Sequence, residues 1–160
     1  MTYLLQPAIF LAGGEGRRLP GPEGITVKAG ADDTGGVIAV LESSTEPGFG
    51  PPRHIHHSSD ELFYVLGGVL DVLVGTEIVR ATPGSFIRVP RGTVHAPRVV
   101  GPEPGRVLVM FAPGGPDKVF DEIAALAAEL GRPPDPDDPR IQAIVERYDS
   151  SFVGPPLEAR

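Results

Sequence analysis

As far as Pro113, short apolar runs rich in Val, Ile, Phe and Tyr recur along the chain, each bounded by Gly or Pro. Runs of this length with this punctuation are the signature of an all-β sandwich or barrel. The pattern predicts strands at Tyr3–Leu11, Ile25–Ala29, Gly36–Glu42, Arg53–His56, Glu61–Leu66, Val69–Val74, Glu77–Arg80, Ser85–Val89, Val94–Arg98 and Arg106–Phe111. Gly67-Gly68, between two alternating runs, predicts a two-residue hairpin, and Pro83-Gly84 and Pro90-Arg91-Gly92 predict further turns. After Pro113 the period changes to that of a helix. Val119, Ile123, Leu126, Ala127 and Leu130 share one helical face and Gly131 stands where a C-terminal cap belongs. Beyond an acidic Pro-rich linker, Asp138 and Pro139 form an N-cap and first-turn pair for a second helix to about Tyr148.

With 160 residues and 41% hydrophobic content, the chain suits one domain with a proper core. The expected division is a β-barrel over residues 1–113 and a helical extension over 114–160, packed on the barrel or on a dimer interface. The net charge of −7 and the lack of a dense Lys/Arg cluster argue against nucleic acid as a partner. No apolar stretch approaches the roughly 18 residues of a spanning helix, and the opening MTYLLQPAIF lacks a basic region before its apolar run. A cytoplasmic protein with no membrane partner is the expectation. The segment GGEGRR, Gly13 to Arg18, reads as a surface or edge loop, because no helix follows it to make a phosphate cradle.

The candidate chemistry lies in the histidines. All four, His54, His56, His57 and His95, fall within two segments, Gly48–Gly68 and Gly84–Val99. His54 and His56 leave the same face of an extended strand with backbones about 7 Å apart, a spacing that suits a shared metal ion. His57 has the opposite parity and is directed away. Glu61, Phe63 and Val65 alternate on one face of the next strand. A carboxylate heading an apolar strand needs an interior partner. The chain has no cysteine, which leaves only nitrogen and oxygen donors for a metal.

The two segments resemble the motifs of the cupin family. Gly48, His54, His56, Glu61 and Gly68 match its first motif in full; Gly84, Pro90, Gly92 and His95 match the second, and Val99 stands where the family has Asn. The resemblance implies a single jelly-roll β-barrel, with one or two helices after it here. It also implies a divalent metal held by His54, His56, Glu61 and His95. Iron, manganese, nickel, cobalt, copper and zinc all suit three imidazoles and one carboxylate. Each ligating histidine should hand its other ring N–H to an acceptor that the sequence does not identify.

The wider layout is similar to single-domain bacterial cupins of the quercetinase-like group, through ADDTGG, the first histidine segment, VPRGTVHA, FAPGG and the tail RYDSSFVGPPL. That similarity implies a dioxygenase acting on a small aromatic enol such as a flavonol. Glu61 would be both ligand and general base, and Phe63, Val65 and Val99 would line the substrate pocket. Two alternatives stay open. One is a non-redox metal enzyme, such as an isomerase, decarboxylase, polyketide cyclase or lyase; the other is a non-catalytic binding module. The expected partners are a small-molecule substrate, O2 and a second copy of the chain in a homodimer.

Overall fold

The computed structural model describes residues 7–159. Two antiparallel sheets face one another. The first contains β1 (Arg17–Arg18), β2 (Thr26–Ala29), β3 (Ala39–Thr45), β5 (Asp60–Gly67), β8 (Phe86–Val89) and β10 (Gly105–Ala112), in the order β1-β2-β3-β10-β5-β8. The second contains β4 (Pro52–His56), β6 (Leu70–Val74), β7 (Glu77–Ala81), β9 (His95–Val99) and β11 (Ser150–Pro156), in the order β11-β4-β9-β6-β7. Helices α1 (Lys118–Leu130) and α2 (Pro139–Arg147) lie between β10 and β11.

Strand alternation builds the interior. Val107, Val109 and Phe111 of β10 and Phe63 and Val65 of β5 are buried from the first sheet, and they meet Leu70, Val72 and Val99 of the second. Each such side chain contributes about 1.5–3 kcal/mol by leaving water. A second apolar cluster, Leu126, Ile141, Ile144 and Val145, joins the two helices, with Phe152 of β11 packed against it.

Nine of the strands fall where the apolar runs predict them. The expected strand Tyr3–Leu11 is not among them: its first residues lie outside the described region, and Pro7–Leu11 carry no strand. GGEGRR, expected to be a surface or edge loop, ends in the edge strand Arg17–Arg18, which pairs with β2. Arg17 also reaches Asp121 of α1.

The predicted hairpin at Gly67-Gly68 is corrected. β5 pairs with β10 and β8, whereas β6 pairs with β7 and β9, so this dipeptide carries the chain from one sheet to the other. Its glycine has a different physical cause. Gly68 has φ +73°, and a Cβ there would lie 2.5 Å from the Pro104 carbonyl oxygen. The actual two-residue hairpin joins β6 to β7 through Gly75-Thr76, with Val74 opposite Glu77. The other departure is β11, which the sequence reading placed in a helical extension. SSFVGPP has neither alternation nor strand composition, and it is held in the sheet by pairing with β4.

One polar clamp fixes the turn that leads to His95. Asp60, at the head of β5, accepts from Arg88 Nε at 2.9 Å and, through its other oxygen, from the Arg91 backbone N–H at 3.1 Å and Nε at 3.0 Å. The Arg91 backbone N–H first, and then the two guanidinium groups, push the Asp60 carboxyl down to about 2. A carboxyl depressed in the folded state stabilises it above the ordinary value of about 4, and that contribution disappears as pH falls through about 2. Asp60→Asn should therefore be less stable than the parent at pH 5–7, with the gap closing toward pH 2, as read by urea unfolding. A gap independent of pH would contradict the clamp.

Candidate metal centre

Three strands bring the candidate donors to one point. His54 and His56 project inward from β4, His95 lies opposite His54 on neighbouring β9, and Glu61 faces them from β5 in the other sheet. All four are buried, and one ligand atom of each lies within 4.8 Å of the others. Glu61 Oε2 is 2.5 Å from His95 Nε2, 3.2 Å from His56 Nε2 and 3.8 Å from His54 Nε2. The strand parity read from the sequence places His57 outside, exposed, with Nε2 2.8 Å from Ser151 Oγ.

The outer nitrogens set the ring tautomers. His54 Nδ1 lies 2.8 Å from the Pro52 carbonyl, and His95 Nδ1 lies 2.9 Å from the Thr93 carbonyl. A carbonyl can only accept, so both Nδ1 atoms carry a hydrogen, and each ring in its neutral form turns an Nε2 lone pair inward. His56 Nδ1 lies 2.8 Å from Ser150 Oγ. Its Nε2 is buried with no hydrogen-bond partner among the described residues.

The charges agree with this picture. Burial alone would push the Glu61 carboxyl up, but the His54, His56 and His95 imidazoles around it hold it well below the usual carboxylate range. Burial lowers His54. Burial would also lower His95, but its contact with Glu61 raises it instead. A buried carboxylate facing inward lone pairs calls for a cation among them. Three imidazole nitrogens and one carboxylate oxygen, with an orphaned Nε2 in the set, fit a divalent transition ion.

A cavity of about 530 Å³ opens beside the donors, with His54, His56 and Glu61 in its wall. His95, 1% exposed, lies behind them. Phe63, Val99, Val107, Val109 and Phe111 form the barrel side, while Phe120, Ile123, Ala124 and Ala127 of α1 and Ile141 and Val145 of α2 close the other. Phe111 stands edge-to-face with His56, ring centres 5.1 Å apart, and Phe120 lies 6.5 Å beyond Phe111. Of the three residues expected to line a pocket, Phe63 and Val99 do so. Val65 shares the inward face of Glu61 but sits in the packed core, outside the lining.

Sequence reasoning missed several residues at this site. Phe111 had a readable signal, the alternation of its own strand. Phe120 lies on a helix expected only to pack on the barrel or on a dimer interface. Glu23, in the loop before β2, also lines the cavity, and burial raises its carboxyl above the ordinary value. Ser150 lies in the strand that the pattern did not reveal.

Residues 42–111 match the family model described as Cupin domain. The fold is a cupin. Among solved structures it is similar to KdgF from Halomonas sp., with a TM-score of 0.52 and 22% identity over 59% of this chain and 82% of that one. It is also similar to a predicted oxalate decarboxylase from Thermotoga maritima, with a TM-score of 0.54 and 16% identity over 56% and 78%. At these identities the likeness concerns the fold. The chain is 32% identical over 90 residues to quercetin 2,3-dioxygenase of Bacillus subtilis, a distant and partial homologue. This match covers 56% of the chain and spans only 27% of that relative. Among the described residues, no helix is long and apolar enough to cross a membrane.

The donor set predicts a measurable stabilisation. A divalent ion present at one hundred times its dissociation constant should raise the unfolding free energy by about 2.7 kcal/mol. The gain should be absent in His56→Ala and shrink as pH falls, because protons compete for the imidazoles and the Glu61 contact raises His95 above its ordinary value. Denaturant titrations with and without the ion at two pH values check this.

Proposed function

We propose that this cupin is a metal-dependent dioxygenase acting on a small aromatic enol of the flavonol type, with His54, His56, Glu61 and His95 holding one divalent transition ion. One observation carries the reading: the buried donors open onto an apolar, aromatic-walled cavity of about 530 Å³. That volume lies within the range of small-molecule sites, whose walls are mostly apolar with a few convergent polar groups. The partial likeness to quercetin 2,3-dioxygenase supports the same direction.

When bound, the ion would supply positive charge to stabilise an enolate and a route for electrons to O2. The remaining work falls to the chain's own side chains. Glu61 is held ionised by the three imidazoles, so one of its carboxylate oxygens is the group that accepts the enol hydroxyl proton. Phe63, Val99 and Phe111 offer faces and edges to a planar ring. Phe120 and Ile123 of α1 wall the cavity opposite the barrel and would restrict the access of bulk water to the reacting atoms. Val65 supports this wall from the core and does not touch the substrate.

The expected outcome is stoichiometric oxygen consumption by the metal-loaded protein with at least one member of a panel of aromatic enols. Glu61→Gln should lower kcat by about 10²- to 10⁴-fold, the usual contribution of a positioned base. Undiminished turnover under strict anaerobiosis would contradict the dioxygenase reading and favour non-redox chemistry at the same donors. Metal binding with no turnover of any substrate would favour a binding module.

A further inference from the structure

His54 and His95 are oriented by backbone carbonyls two residues before them, at Pro52 and Thr93. His56 depends instead on a side chain 94 residues away in sequence. Ser150 lies opposite His56 in the β11–β4 register and is 3% exposed. Its hydroxyl donates to the Tyr148 carbonyl at 3.2 Å. With that hydrogen committed, Ser150 Oγ accepts from His56 Nδ1–H at 2.8 Å.

The local backbone presents this hydroxyl. α2 ends at Arg147 with Tyr148 as its C-cap, and Asp149 adopts φ +53°, a left-handed conformation that Asp tolerates. The Asp149 carbonyl accepts from the His57 N–H at 2.9 Å, which ties the turn to the end of β4. Without the Ser150 oxygen, His56 has another way to satisfy its ring: a hydrogen on Nε2, donated to Glu61 Oε2 at 3.2 Å. That tautomer has no inward lone pair.

We propose that Ser150 is a positioning residue of the metal centre: it holds His56 in the Nδ1–H tautomer, so that β11, outside residues 42–111, completes the donor set. This rests on the metal reading above. Ser150→Ala should weaken cobalt(II) binding by about 10- to 100-fold, the usual effect of removing a partner that orients a ligand. The metal-free unfolding midpoint should stay near that of the parent, and Ser150→Thr, which keeps the hydroxyl, should retain affinity. Long-range ¹H–¹⁵N NMR of the metal-free protein should place the His56 hydrogen on Nδ1 in the parent and move it toward Nε2 in Ser150→Ala.

A parent protein with His56 already protonated on Nε2 alone would overturn the proposal without recourse to any variant. So would a Ser150→Ala protein that binds cobalt(II) within twofold of the parent, whatever its tautomer. A parent that takes up no cobalt(II) would instead defeat the metal reading on which the proposal rests.

Discussion

The interior of this barrel is organised around a carboxylate that has left water. Glu61 is buried on an otherwise apolar strand face, and three imidazoles meet it from the opposite sheet. An isolated buried carboxylate would be driven to its neutral form. Here the imidazoles keep it charged, while carbonyls or a hydroxyl hold their outer nitrogens. The two sheets must stay in register for this to work. Glu61 is positioned by pairing with Phe111 and Val89, and His54 by pairing with His95. The Asp60 clamp and the Gly68 crossover serve that register by fixing the turn before His95 and the passage between sheets.

Much of this was legible in the sequence, for identifiable reasons. Short apolar runs between Gly and Pro revealed β5 and β10, and the inward parity of His54, His56, Glu61, Phe63 and Val65 agrees with their burial. The same parity placed His57 outside. What failed was whatever depends on a partner far along the chain. Gly67-Gly68 carries the local mark of a hairpin, yet its conformation answers to Pro104 across the barrel. Val65 points inward, but only the three-dimensional course of the cavity separates lining from core. β11 has no strand signal of its own, since Gly154 and Pro155 interrupt it, and it exists because β4 offers an edge.

The C-terminal segment thus does more than cover a barrel. α1 and α2 wall one side of the apolar cavity at the barrel mouth, with Phe120 continuing the aromatic series from His56 through Phe111. β11 then returns to the second sheet and sets a serine beside a histidine of the centre. For the function proposed above, the substrate would be an apolar ring system with an oxygen donor at the Glu61 end. Glu23 is a second polar group in the cavity wall.

The central claim is that His54, His56, Glu61 and His95 form a single metal site. The most direct test is X-ray absorption spectroscopy on purified protein whose metal content has been measured by elemental analysis. The account predicts about one divalent transition ion per chain, with a first coordination sphere dominated by three imidazole nitrogens at about 2.0–2.2 Å. Protein that carries no ion as isolated and takes up none when supplied, or an ion whose sphere lacks imidazole, would contradict it.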